Sequence, residues 1–311
     1  MTRALVLGGG GPMGIGWESG LAVGLAEGGI DLAAADAIYG TSAGSFVGAQ
    51  LALGFDIAET AELLIETSAA AMAANTGPPV TAGLQALTDV VTAALNAGTP
   101  AEEVRRLLGR LALEAPVVTE DEFLDLFGVF RGHPWPDGFS CTALDTATAD
   151  FVVWQAPTDV ELHRAVASSC AVPMVCPPIT IGGRRFMDGG VRSPLNADLA
   201  RGHDRVLVVS VTVLARPPEP DGLTGDGPDD EFLLAGIADE ISTLRSSGAT
   251  VEVIEPNAEF LEVSGWGTTL MDVGKAAQAY AAGVRQGLAE SRRIANLWGV
   301  TATTPGMEDL R

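Results

Sequence analysis

Short apolar runs broken by glycine recur along the chain, and most lead into stretches with helical period. Residues 4–7 form such a run, as in a buried parallel strand, and Gly8 to Gly11 end it. Residues 15–27 have helical character and stop at Gly28-Gly29. A second strand, 37–39, enters Gly40-Thr41-Ser42-Ala43-Gly44, and a mostly apolar helix succeeds it over about 45–53. Sheet-like segments return at 139–144 and 151–154, with a helix over 160–169. Residues 179–181 and 184–187 flank Gly182-Gly183 as in a two-residue hairpin, which delivers the chain to Asp188-Gly189-Gly190. Residues 205–213 are the strongest strand signal, 250–254 a last strand, and 272–297 a long C-terminal helix. The acidic, Gly- and Pro-rich stretch 219–231 reads as a solvated loop.

Between these segments, 57–113 is alanine-rich, helical in period and nearly free of aromatics. Thr76-Gly77-Pro78-Pro79 interrupts it, and Gly98-Thr99-Pro100 before Glu102-Glu103 marks a new helix start. It reads as a helical insertion beside the sheet. Strands alternating with helices predict an α/β fold with a largely parallel central sheet, as a single domain over 1–311.

Composition narrows the function. Asp and Glu total 40 against 18 Lys and Arg, a net charge of −22. That balance argues against nucleic-acid binding and against electrostatic docking on anionic lipid. Lys275 is the only lysine. Cys141, Cys170 and Cys176 have neither disulfide-framework nor zinc-site spacing and read as reduced thiols of a cytoplasmic protein. No signal-peptide core and no apolar run long enough to span a bilayer is expected.

The sharpest chemical signal is Gly40-Thr41-Ser42-Ala43-Gly44, a GxSxG sequence between a strand and a helix. A nucleophile on so tight a turn takes strained dihedrals, and only small neighbours fit around it. The alternative is a serine N-cap in a glycine-rich turn. The second signal, Gly9-Gly10-Gly11-Pro12-Met13-Gly14, fits GxGxxG, the dinucleotide fingerprint. The acidic residue that should close the second strand is absent there, since that strand ends in the serine turn. The other reading is an oxyanion hole formed by consecutive glycine N–H groups beside Ser42. A serine needs a base. His133, His163 and His203 are all poorly placed by chain order, and each reads as structural or solvated. Asp188 ends a strand before two glycines, so its carboxylate can project from a bend, although Asp-Gly turns are common in any protein.

Taken together, the three motifs in this order resemble the patatin-like phospholipase family. The resemblance rests on Gly9 to Gly14, on Gly40 to Gly44, and on Asp188-Gly189-Gly190. The runs 168–173 and 192–198 add to it, and it covers about residues 3–213, fading beyond 214. It implies a lipid acyl hydrolase with Ser42 as nucleophile, Asp188 as base and Gly9, Gly10 and Gly11 at the oxyanion. Gly14, Gly40, Gly44, Gly189 and Gly190 complete its motifs, and it implies no metal or organic cofactor. The substrate would be a lipid or other acyl ester, with at most transient apolar contact with lipid surfaces. An acyltransferase would use the same dyad, and a nucleotide-binding module remains the rival use of the first glycine loop. Many members carry Arg or Lys where this chain has Met13, which opens neutral acyl esters as substrates. Leu84, Leu87, Val90, Val91 and Leu95 form an apolar stripe, and the insertion is expected to wall or cap the acyl chain as much as to pack on the core.

Overall fold

A computed structural model describes residues 1–61, 80–214 and 228–300. The eight-stranded sheet contains β1 (Arg3–Leu7), β2 (Ala37–Gly40), β3 (Phe139–Asp145), β4 (Phe151–Gln155), β5 (Ile179–Ile181), β6 (Arg184–Asp188), β7 (Arg205–Val209) and β8 (Thr250–Ile254). Its order is β5-β6-β3-β2-β1-β7-β8, with β4 pairing β3 off that path. The pairs among β3, β2, β1, β7 and β8 are parallel, and β4, β5 and β6 join antiparallel. The central strands are apolar throughout because both faces are covered: Leu5, Leu7, Leu207 and Val209 are fully buried in one core and Ala4, Val6, Val206 and Val208 in another.

Described helices are α1 (Gly11–Glu27), α2 (Ala43–Ala52), α3 (Val80–Asn96), α4 (Ala101–Glu114), α5 (Glu120–Asp125), α6 (Leu162–Ser169), α7 (Pro228–Ser246), α8 (Ala258–Val263) and α9 (Ala276–Trp298). The α1–α9 contact is unusually close. A Cβ built on Gly20 would lie 2.0 Å from the Tyr280 carbonyl oxygen, and one on Gly283 would lie 2.2 Å from that of Trp17. The two backbones touch, and only hydrogen fits between them.

Several elements differ from the sequence reading. Helix α1 opens at Gly11 rather than at residue 15, because Pro12 sits in the first turn, where its missing N–H costs nothing. Strand β7 ends at Val209 rather than 213: the Ser210 hydroxyl donates to the Thr212 carbonyl (2.6 Å), and the turn packs Val211 against Gly10. The stretch 219–231 is not all loop, since α7 begins at Pro228, a residue suited to a helix start; 219–227 lies outside the described residues. Of the insertion, 62–79 lies outside the described residues, and α3 and α4 carry the rest. The Gly182-Gly183 turn has positive φ at both positions (58° and 78°), as a two-residue hairpin requires.

Candidate active site

The register of β3 explains how two motifs so distant in sequence meet. Strand β4 takes one edge of β3, pairing with Ser140 to Leu144. Strands β2 and β6 therefore share the other edge. They approach end to end: Gly40 pairs with Cys141, and Asp188 pairs with Ala143. Two residues of β3, a rise of about 7 Å, separate the end of the serine strand from the end of the aspartate strand.

Just past Gly40 the chain turns sharply. Ser42 has φ 52° and ψ −118° and is the N-cap of α2. Backbone strain of this kind costs about 1–3 kcal/mol and persists only where the surroundings over-determine it. Here they do. A Cβ on Gly44 would lie 2.2 Å from the Leu7 carbonyl oxygen, so α2 sits directly on β1. The Gly44 N–H donates to the Gly8 carbonyl (2.9 Å) and the Thr41 N–H to that of Leu7 (3.0 Å), fastening the elbow to the first glycine loop. The Ser42 N–H donates to the Ser169 hydroxyl (3.0 Å), and the Cys170 thiol donates to the Ser42 carbonyl (3.1 Å).

Asp188 caps the short 3-10 turn Gly189–Val191, its carboxylate accepting from the Gly190 N–H at 2.7 Å. The Ser42 hydroxyl is close enough to pull the Asp188 pKa down, so the two sequence-derived residues are neighbours. Burial pushes the Asp188 carboxyl up to about 7, against the opposing pull of the Gly190 N–H and the Ser42 hydroxyl. Ser42 is 7% exposed and Asp188 4%, so the pair is shielded from bulk water.

The glycine loop abuts this pair. A Cβ on Gly9 would come within 3.3 Å of the Ser42 Cβ, and one on Gly14 within 3.2 Å of the Ala43 Cβ. The N-termini of α1 and α2 thus converge. Gly10 and Gly11 begin α1, and their N–H groups have no partner among the described residues. Gly9 differs: its N–H donates to the Pro194 carbonyl (2.8 Å) and is not free to face an oxyanion. Its part is to tie the loop to the run after Asp188, and the oxyanion expectation narrows to Gly10 and Gly11.

Sequence reasoning did not single out Asn196 or the residues that clamp Ser42. The Asn196 Nδ2 donates to the Ser193 carbonyl (2.8 Å) and the Thr41 hydroxyl (3.1 Å), and Thr41 lies 3.0 Å from the Thr142 hydroxyl. This buried network joins the elbow, β3 and the aspartate loop. Its signal was the family-like runs 168–173 and 192–198. Equally unforeseen is the cover over the first glycine loop: Gly11 is crowded by Met271 and Leu270, and the Met13 N–H donates to the Leu270 carbonyl (3.1 Å). Met13 is fully buried, with the Thr269 hydroxyl 3.8 Å from its sulfur. The Lys275 ammonium donates to Thr269 Oγ1 and to the Val263 carbonyl, both at 3.1 Å, and so staples that cover in place.

No histidine serves Ser42. His203 Nε2 pairs with the Tyr39 hydroxyl (3.2 Å), His133 packs edge-on to Phe55, and His163 is buried in α6 with burial depressing its pKa.

This architecture is that of an α/β protein with a serine elbow facing a glycine-rich loop, and comparison of the sequence gives its class. The profile of the patatin-like phospholipase family, a family of lipid hydrolases, matches residues 5–201. The chain belongs to the patatin-like phospholipase family. Among solved structures it is similar to VipD from Legionella pneumophila, at 14% identity over 93% of this chain and 67% of that one, with a TM-score of 0.39. It is also similar to the type III effector protein ExoU, at 16% identity and a TM-score of 0.31. There the match covers 92% of this chain but spans only 53% of ExoU. No curated protein matches the sequence. Among the described residues no helix is long and apolar enough to cross a membrane.

Proposed function

We propose that the protein hydrolyses carboxylic esters of lipids through an acyl-enzyme on Ser42, with Asp188 as the base. The observation that carries this reading is the juxtaposition of Ser42 and a buried Asp188, whose strands end two residues apart on the same edge of β3. A carboxyl at the ordinary value near 3.9 is a feeble base. One lifted to about 7 accepts a proton far more readily and is still about half ionised at pH 7. In the first half-reaction the Ser42 proton passes to Asp188 as Oγ bonds to the ester carbonyl carbon. The oxyanion that forms takes the Gly10 and Gly11 N–H groups, in a dry site where such donors are strongest. Collapse breaks the ester bond, and the leaving alcohol takes the proton from Asp188. Water then attacks the acyl-enzyme, gives its proton to Asp188, and releases the acid with Ser42 restored.

The test is a p-nitrophenyl ester series on the wild type, Ser42→Ala and Asp188→Asn. Nucleophile loss is expected to lower kcat by about 10⁴–10⁶. The wild-type kcat/KM should rise with pH and level off above about 7, because Asp188 must be ionised to act. Full activity in either variant overturns the assignment. The shielding of Ser42 also suits an acyltransferase, which must keep water from the acyl-enzyme; transfer to an added alcohol, measured by product analysis, distinguishes the two.

A further inference from the structure

Helix α1 carries a single ionisable residue along its buried length, Glu18, which is 1% exposed. Glutamate is almost never buried to that degree without a partner. The other buried carboxylates are held: Asp145 pairs with Arg184, and Asp188 accepts from the Gly190 N–H. Neither oxygen of Glu18 has a hydrogen-bond partner among the described residues. A carboxyl in that setting sheds its charge rather than bear the cost of desolvation. Burial accordingly lifts its pKa well above the usual carboxylate range, against the weaker pull of the Gly8 amide. That N–H is already given to the Val209 carbonyl (3.0 Å).

The position of this neutral acid is informative. Glu18 lies one turn past Gly14 on the same face of α1, and helical side chains lean back toward the N-terminus. Its carboxyl is thereby brought beside Gly8, where the first glycine loop meets the serine elbow. There Gly14 closes on Ala43 and Val211, and the Gly8 carbonyl receives the Gly44 N–H (2.9 Å). Gly10 and Gly11 begin the same helix. Among the described residues no charge answers Glu18. Helix α2 has no ionisable side chain, and β1 and β7 carry only Arg3 and Arg205, at their far ends. On α9, Arg285 pairs with Glu259, Arg293 with Glu252 and Glu290, Arg292 is exposed, and Tyr280 lies beside Gly20. Lys275 is bonded to Val263 and Thr269, and the elbow's own neighbours add Asp188 and the Cys170 thiol.

We propose that Glu18, kept neutral, is a positioning residue that seats the first glycine loop on the serine elbow, and that its ionisation switches the site off at alkaline pH. A charge there would draw water into the seam between α1 and α2. It would also set a negative potential behind the Gly10 and Gly11 amides, where an oxyanion needs the opposite. The proposal rests on the acyl-hydrolase reading of Ser42.

The experiment follows kcat and KM for a soluble short-chain ester between about pH 5 and 10, by titrating the released acid. In the wild type kcat/KM is expected to reach its plateau and then fall by about tenfold per pH unit as Glu18 ionises. Glu18→Gln has the same shape and no charge to gain, so it should hold the plateau within about threefold and lose the fall. Glu18→Ala should lower the plateau kcat about tenfold with KM little changed. A wild type that stays flat to the alkaline end, a fall that persists in Glu18→Gln, or an unchanged plateau in Glu18→Ala overturns the proposal. A second arm needs no turnover. In an Asp188→Asn background, the infrared spectrum at neutral pH should contain a protonated-carboxyl band that Glu18→Gln removes; a spectrum without it also overturns the proposal. Hydrolysis by Ser42→Ala at the wild-type rate would instead overturn the dyad, leaving the infrared arm to judge Glu18 by itself.

Discussion

In the proposed dyad, the Asp188 carboxyl trades stability for chemistry. Asp188 has a folded-state pKa raised to about 7 from an unfolded value near 3.9. Such a group costs nothing at pH values below the unfolded value. Its cost grows between about 4 and 7 and is full above that, at most about 4 kcal/mol. Asp188→Asn, which abolishes the proposed base, is therefore expected to melt higher than the wild type at pH 8 and to lose that advantage towards pH 4. Equal melting temperatures at pH 8 would mean that the carboxyl is not destabilised in the fold. Both residues of the proposed dyad could be picked out in the sequence because GxSxG and Asp-Gly-Gly each need small neighbours at fixed offsets. Asn196 was not, since its role lies in bonds to Thr41 and Ser193, partners no local pattern reveals. Nor was the commitment of the Gly9 N–H to Pro194, a contact 185 positions along the chain.

At the scale of elements, strand identities came from apolar runs, but their ends were set by partners. Strand β7 stops where Val211 must turn to cover Gly10, and α1 starts early because Pro12 suits its first turn. The α1–α9 seam makes a sharp prediction. Gly20→Ala would place a methyl carbon 2.0 Å from a backbone oxygen, so the helices must separate. A loss of at least about 3 kcal/mol, the upper range for overpacking, is expected in urea unfolding; wild-type stability would show the seam to be loose. The α3–α4 pair carries a second prediction. Leu87, on the apolar side that meets Val104, Leu108 and Val191, lies beside the aspartate turn. Leu87→Asp should lower activity on long-chain esters while sparing short ones, as expected of a wall for the acyl chain. Equal loss on both would make the pair a packing element alone.

For the whole molecule, the family match ends at residue 201, yet the C-terminal third of the chain packs on the candidate site. Helix α9 buries the Trp17 face of α1, and 264–272 closes over Gly11 and Met13. A chain ended after Val213 would bare that apolar face and lose β8, and is expected to be insoluble or unfolded by circular dichroism; a folded, active fragment would show the C-terminal part to be an accessory. Little of this dependence was legible, because the long C-terminal helix announced its period but not its partner.

Lys275 bears the chain's single ε-amine, and that amine grips the very segment that roofs the first glycine loop. Apart from the N-terminus, an isotopic methyl tag placed by reductive methylation can land nowhere else. One resonance then reports on the roof without interference, and whether ester binding lifts it becomes a question a single spectrum can answer.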